Sequence, residues 1–118
     1  MNAKVKHLMK RFETAFMAKD VEAVMDCLAP RFEWHLPDGT KARGKKAMRA
    51  ALEARLSAPG GPQFSQSKFR YLGDTVIQTY RVKFKDADGK TRETCGLDVY
   101  KISDGLIARK DAYWKRAN

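Results

Sequence analysis

Apolar residues in the first third of the chain recur at helical spacing. Val5, Leu8, Met9, Phe12 and Phe16 form one stripe, which predicts an amphipathic helix lying on a core. Asp20 is placed to cap a short second helix carrying Val21, Val24, Met25 and Leu28, with Pro30 as its stop. Arg31 to Leu36 then alternates, with Phe32, Trp34 and Leu36 on one face and Glu33 and His35 on the other, so a strand is expected. Pro37-Asp-Gly39 turns the chain. After Gly44 a third stripe, Met48, Ala51, Leu52 and Leu56, predicts a helix closed by Pro59-Gly-Gly-Pro62.

From Gln63 onward the period is two. Residues 64–72, 75–85, 91–102 and 106–115 read as four strands joined at Gly73-Asp74, at Asp86-Ala-Asp-Gly89 and at Ser103-Asp-Gly105. The second is the most regular: Val76, Gln78, Tyr80, Val82 and Phe84 alternate with Ile77, Thr79, Arg81, Lys83 and Lys85. Helices first and an antiparallel meander afterwards give an α+β domain. The third of these strands is apolar on both faces, Cys95, Leu97 and Val99 against Gly96, Tyr100 and Ile102. In so small a domain that predicts helices on one face and a partner subunit, a homodimer, on the other.

With 118 residues, 43% hydrophobic and 32% charged, the whole of 1–118 is expected to be one domain with a single core. The net charge of +10 raises the question of nucleic acid. Lys and Arg are spread from Lys4 to Arg116 and broken by acids, densest at Lys41, Arg43, Lys45, Lys46 and Arg49, and no exposed aromatics are interleaved with them. A solvated basic surface is therefore favoured over a nucleic-acid site; small anions stay open as ligands. Cys27 and Cys95 lie in apolar contexts without metal spacing, which predicts a reduced, cytoplasmic chain. His7 and His35 are the only histidines, so no metal site is expected. The opening MNAKVKHLMKRF has no apolar leader core, and no stretch approaches the length of a membrane span. Gly39-Thr-Lys-Ala-Arg-Gly44-Lys45-Lys46 is close to a P-loop, but Lys46 stands where a Mg²⁺-binding hydroxyl belongs and no parallel βαβ unit follows, so it reads as a turn and helix entry.

Asp98 carries the chemistry. A carboxylate inside an apolar strand must be paired or have a shifted pKa, because desolvating its charge is expensive. A three-residue turn at Ser103-Asp-Gly105 sets Asp98 opposite Lys110 and puts Asp98, Tyr100, Lys110, Ala112 and Trp114 on one face. A two-residue turn at Asp104-Gly105 sets it opposite Asp111, a destabilising like-charge pair. The first register is preferred, with Lys110 holding Asp98 ionised as a base or as an anchor for a polar ligand group. The competing reading is a purely structural buried ion pair. Phe12, Phe16, Trp34, Leu36, Tyr100 and Trp114 line an aromatic cavity or simply fill the core. Tyr71 and Tyr80 are candidates to add hydroxyls. His35 is expected outside the cavity, and Asp111 in a structural ion pair on the other face.

Arg11-Phe-Glu-Thr-Ala-Phe-Met-Ala-Lys-Asp20 with Val21-Glu-Ala-Val-Met, Trp34-His-Leu-Pro-Asp-Gly39 with Gly44, and Asp98-Val-Tyr-Lys-Ile with Asp104-Gly-Leu-Ile107 and Ala112-Tyr-Trp114 together resemble the SnoaL-like and ketosteroid isomerase-related branches of the nuclear transport factor 2-like superfamily. The resemblance implies a cone-shaped curved antiparallel sheet packed on three N-terminal helices (cystatin-like), a homodimer, and a pocket between sheet and helices, with no cofactor. Ketosteroid isomerases place an aspartate base, a tyrosine and a protonated aspartic acid at positions that here are Leu36, Phe12 and Asp98. With two of the three absent, the resemblance implies no steroid isomerisation. Lys115 stands where many SnoaL-like sequences carry an acid. Two functions follow: cofactor-free acid–base chemistry (isomerase, cyclase or hydrolase type) on a small apolar ligand with a polar head, or a ligand-binding or dimerisation module without turnover.

Overall fold

The computed structural model of the protein describes residues 3–57 and 61–115. Helix α1 spans Ala3–Met17 and buries Val5, Leu8, Met9, Phe12 and Ala15, the expected stripe, with Phe16 at its edge packed against the core. Asp20 caps α2 (Val21–Met25) by accepting a 3.1 Å hydrogen bond from the Ala23 amide. The helix ends at Asp26, not at Pro30. Pro30 lies inside strand β1 (Leu28–His35), in the stretch between Leu28 and Glu33 where pairing with the neighbouring strand lapses; a residue without an N–H is tolerated there.

A short strand that the alternation did not reveal, β2 (Lys41–Arg43), pairs antiparallel with β1. Three residues give too little periodicity to separate a strand from a loop. Gly44 follows at φ 79, a left-handed conformation that favours glycine, and opens α3 (Gly44–Ser57), which buries Met48 and Leu52. The glycine run near Lys45 and Lys46 is thus a strand, a turn and a helix start. The Pro59-Gly60 part of the expected helix stop lies outside the described residues.

The meander follows the expected boundaries closely: β3 (Gln63–Leu72), β4 (Thr75–Lys85), β5 (Thr91–Ser103) and β6 (Leu106–Trp114). Six strands form one curved sheet in the order β2-β1-β6-β5-β4-β3. All neighbours are antiparallel except β1 and β6, which run parallel. The helices cover its inner face, where Phe32, Trp34, Val76, Tyr100, Ile102 and Ile107 join the helical stripes in one core.

Neither of the two anticipated hairpin registers forms between β5 and β6. The turn is the two-residue one, Asp104 (φ 52) and Gly105 (φ 76), both in the left-handed region that such hairpins use. A bulge then follows: Ser103 faces Leu106 and Ile102 faces Ile107, but Lys101 faces Arg109, leaving Ala108 unpaired. The extra residue flips parity along β6. Ile107 therefore turns into the core instead of sharing a face with Arg109, Asp111 and Tyr113, and Asp98 comes to face Ala112 while Tyr100 faces Lys110. The like-charge pairing with Asp111 is avoided, and the expected face of Asp98, Tyr100, Lys110, Ala112 and Trp114 is retained.

Gly96 permits the aromatic packing beside that face. A Cβ there would lie 2.7 Å from Trp114 Cδ1, 2.8 Å from the Tyr113 carbonyl oxygen and 3.0 Å from Tyr80 Cε1. Backbone and two ring edges must all give way, so Gly96→Ala is expected to cost about 1–3 kcal/mol. Urea unfolding should show this as a lower midpoint at unchanged slope; a variant as stable as the parent would mean that β5 and the Trp114 ring separate freely.

Candidate functional site

The curved sheet and the helices enclose a cavity of about 630 Å³, within the usual range for small-molecule sites. Helix α1 contributes Phe12, Glu13 and Phe16, β1 gives Trp34, and α3 gives Arg55. The meander supplies Phe64, Ser67, Gln78, Tyr80, Asp98, Tyr100, Lys110 and Trp114. Period-two alternation on the inner face of β4, β5 and β6 brings these residues together, and a register shift between Ser65 and Lys68 of β3 lets Phe64 and Ser67, three residues apart, both line it.

Asp98 is 5% exposed and its carboxyl is surrounded by donors. The Tyr80 hydroxyl donates to Oδ1 at 2.7 Å and itself accepts a hydrogen bond from Trp114 Nε1 at 2.9 Å. An indole N–H only donates, so the proton of Tyr80 is directed at Asp98. On the other side, Lys110 Nζ lies 3.5 Å from Oδ2. The Tyr100 hydroxyl stands 3.3 Å from Oδ2 and 2.7 Å from Gln78 Oε1; its single proton serves the shorter contact. Both carboxyl oxygens act as acceptors in this arrangement, the hydrogen-bonding pattern of a carboxylate.

Lys110 is enclosed by rings: its Nζ lies 5.1 Å from the centroids of Phe16 and Trp34, 5.5 Å from Phe12 and 5.7 Å from Tyr100. Each such contact contributes about 0.5–2 kcal/mol to holding an ammonium. Burial nonetheless dominates and lowers the Lys110 pKa below its ordinary value of 10.5, with Asp98 opposing the shift and Arg55 adding to it. Tyr80 and Tyr100 move the other way: burial first, then the Asp98 charge, raises both, so they remain donors at neutral pH. Arg55 reaches in from α3 and stacks over Trp34 and Trp114, its Cζ 5.4 and 6.0 Å from their centroids; burial lowers its pKa.

Of the residues anticipated from sequence, Asp98, Lys110, Phe12, Phe16, Trp34, Tyr100 and Trp114 all line the cavity. Leu36 does not. It lies one residue past β1, where the chain turns away, and packs half-buried against the core. Tyr80 contributes a hydroxyl, whereas Tyr71 stacks on Phe69, 6.2 Å between centroids, outside the cavity. His35 lies on the outer face beside Glu33 at 3.1 Å, and Asp111 accepts from Arg109 at 2.8 Å within the same chain. Sequence reasoning passed over Arg55 and Gln78. Arg55 follows Met48 and Leu52 at helical spacing, so its place on the buried stripe of α3 was legible, although its charge argued for solvent. Gln78 shares the inward parity of Val76 and Tyr80.

Comparison with known proteins places this geometry. The family model for the SnoaL-like domain matches residues 9–110. Similar solved structures include a candidate polyketide cyclase from Xanthomonas campestris pv. campestris, 23% identical, covering 95% of this chain and 90% of that one at a TM-score of 0.75. A candidate ketosteroid isomerase from Kribbella flavida is 16% identical over 98% of this chain and 80% of that one, with a TM-score of 0.79. A nuclear transport factor 2-like protein of unknown function from Burkholderia pseudomallei is 15% identical over 97% and 92%, with a TM-score of 0.83. At such identities the likeness concerns the fold. Among curated proteins none matches the chain.

The lowered pKa of Lys110 has a definite sign. Between its folded pKa and 10.5 the unfolded chain binds more protons at this residue than the folded one, so its contribution to stability rises with pH through that window. In a chain carrying ¹³C-labelled lysine, the Lys110 Cε resonance should titrate at lower pH than those of exposed lysines. Titration together with them would show that Lys110 is not desolvated.

Proposed function

The chain belongs to the SnoaL-like domain family, and we propose that its cavity is an acid–base site for a small ligand with an apolar body and a polar head. Asp98 serves as the base and Lys110 orients it. The supporting observation is a buried carboxyl, flanked by Tyr80 and Lys110, on the wall of a cavity of about 630 Å³. A carboxylate held by fixed donors is pre-oriented, and a ligand proton within hydrogen-bond reach can pass to it. The electron pair left on the ligand then delocalises toward its polar head, where the Lys110 ammonium or a tyrosine hydroxyl stabilises the developing charge. Return of the proton at another atom is an isomerisation; attack of the resulting carbanion within the ligand is a ring closure. Leu36 and Phe12 leave the site without two of the polar groups expected of a steroid isomerase.

One observation favours a second reading. Both Asp98 oxygens are already engaged, by Tyr80 and by Lys110, and such a carboxylate can simply anchor a charge pair in a binding module. Native mass spectrometry of the purified chain should reveal a co-purifying ligand, and incubating that ligand in D₂O with the protein should introduce deuterium if proton transfer occurs. Asp98→Asn is expected to slow this exchange by about 10²–10⁴-fold while the chain stays folded. Exchange at the parent rate in the variant would assign Asp98 to the binding module.

The outer sheet face supports a homodimer. Cys95, Leu97 and Val99 of β5 stand half-buried there, uncovered by the helices, and apolar strand residues of this kind suit a self-complementary interface. Sedimentation should show a dimer at micromolar concentration that Leu97→Lys dissociates, since an unpaired charge would be buried. A dimer indifferent to that change places the interface elsewhere. Cys27 and Cys95 are free thiols, and burial raises the Cys27 pKa, properties suited to a reducing compartment such as the cytoplasm.

A further inference from the structure

A guanidinium on the cavity wall stands without an acceptor. The Arg55 guanidinium makes no hydrogen bond and lies within 4.0 Å of no carboxylate among the described residues; its contacts are the faces of Trp34 and Trp114. Native chains rarely leave such a donor unsatisfied, and a guanidinium removed from water calls for a counter-charge. No acid among the described residues touches it; Asp98 and Asp38 act on it only at a distance. Asp98 is committed to Tyr80 and Lys110, and Glu13 accepts from Ser67 at 3.1 Å on the α1–β3 side.

We infer that the cavity takes an organic carboxylate on an apolar body, its anionic head held by Arg55. The inference rests on the reading of the cavity as a ligand site and names the chemical class of its ligand. Arginine presents a planar fork that matches a carboxylate, and its weaker hydration makes it the cation best suited to a stacked, half-desolvated position. The guanidinium lies over the Trp34 ring, its Cζ 5.4 Å from the centroid, so the ring face backs the fork while its N–H groups stay open to a head group. A neutral carbonyl would satisfy a hydrogen bond but leave the guanidinium charge uncompensated. Phe12, Phe16 and Phe64 provide the apolar wall for the ligand body.

Diphenylacetate and diphenylacetamide test this, since they share a shape and differ in charge. The chain has two tryptophans, Trp34 and Trp114, both lining this cavity, so emission excited at the indole band edge reports binding of either probe, with calorimetry as a second readout. The acid should bind about tenfold or more tighter than the amide, in keeping with a charge-assisted pair. Arg55→Met should weaken the acid far more than the amide and erase the acid's preference; Arg55→Lys, which keeps the charge without the fork, should retain part of it. If the parent chain takes the amide as well as the acid, the inference is overturned and the ligand-site reading stands. If it takes neither, both fall. An Arg55→Met variant that still prefers the acid puts the anion elsewhere and equally overturns the inference.

Discussion

An ion pair almost wholly withdrawn from water organises this molecule. Asp98 and Lys110 sit on adjacent strands at the sheet's inner face, nearly sealed, in a setting where an isolated charge would be heavily penalised. Each has been given enough partners to stay. Tyr80 and Lys110 supply donors to the carboxylate, and four aromatic rings present their faces to the ammonium. The aromatic cavity and the charge pair therefore depend on one another: the rings make the charges costly, and the rings' own quadrupoles and hydroxyls offset that cost.

Two local backbone features deliver this arrangement. The unpaired Ala108 changes the parity of β6, so that Ile107 faces the core and Lys110 still faces the same side as Asp98. The absence of a side chain at Gly96 lets the Trp114 and Tyr80 rings close on β5, which aligns the donor sequence Trp114 to Tyr80 to Asp98. Alanine at one position or a straight ladder at the other would disperse groups that sequence spacing alone keeps far apart.

Much of this is legible in the amino-acid sequence. The stripes at Val5–Phe16 and Met48–Leu56 and the alternation at Val76–Phe84 fixed the helices and the inner face, because amphipathic periodicity is a direct image of burial. Asp98 stood out as a charge in an apolar strand. The register of β5 and β6 was not legible: a bulge depends on turn geometry and tertiary packing, and Ala108 carries no mark of it. Leu36 was misplaced for a related reason, since alternation predicts a face but not where the strand stops. Arg55 escaped notice because composition treats arginine as a surface residue, although its long stem can lie along a buried stripe.

The strand order has a consequence for how the chain is made. β6, the sixth of these strands in chain order, lies between β1 and β5 and, among the described residues, alone joins the first strand pair to the meander. Trp34 pairs with Lys110, a contact of very long sequence separation, so the cone cannot close until residues 106–114 have left the ribosome. Until then the inner faces of β1 and β5 stay uncovered at that edge, and folding is biased toward a late, slow closing step. The strand that completes the cavity is the last of this sheet to emerge.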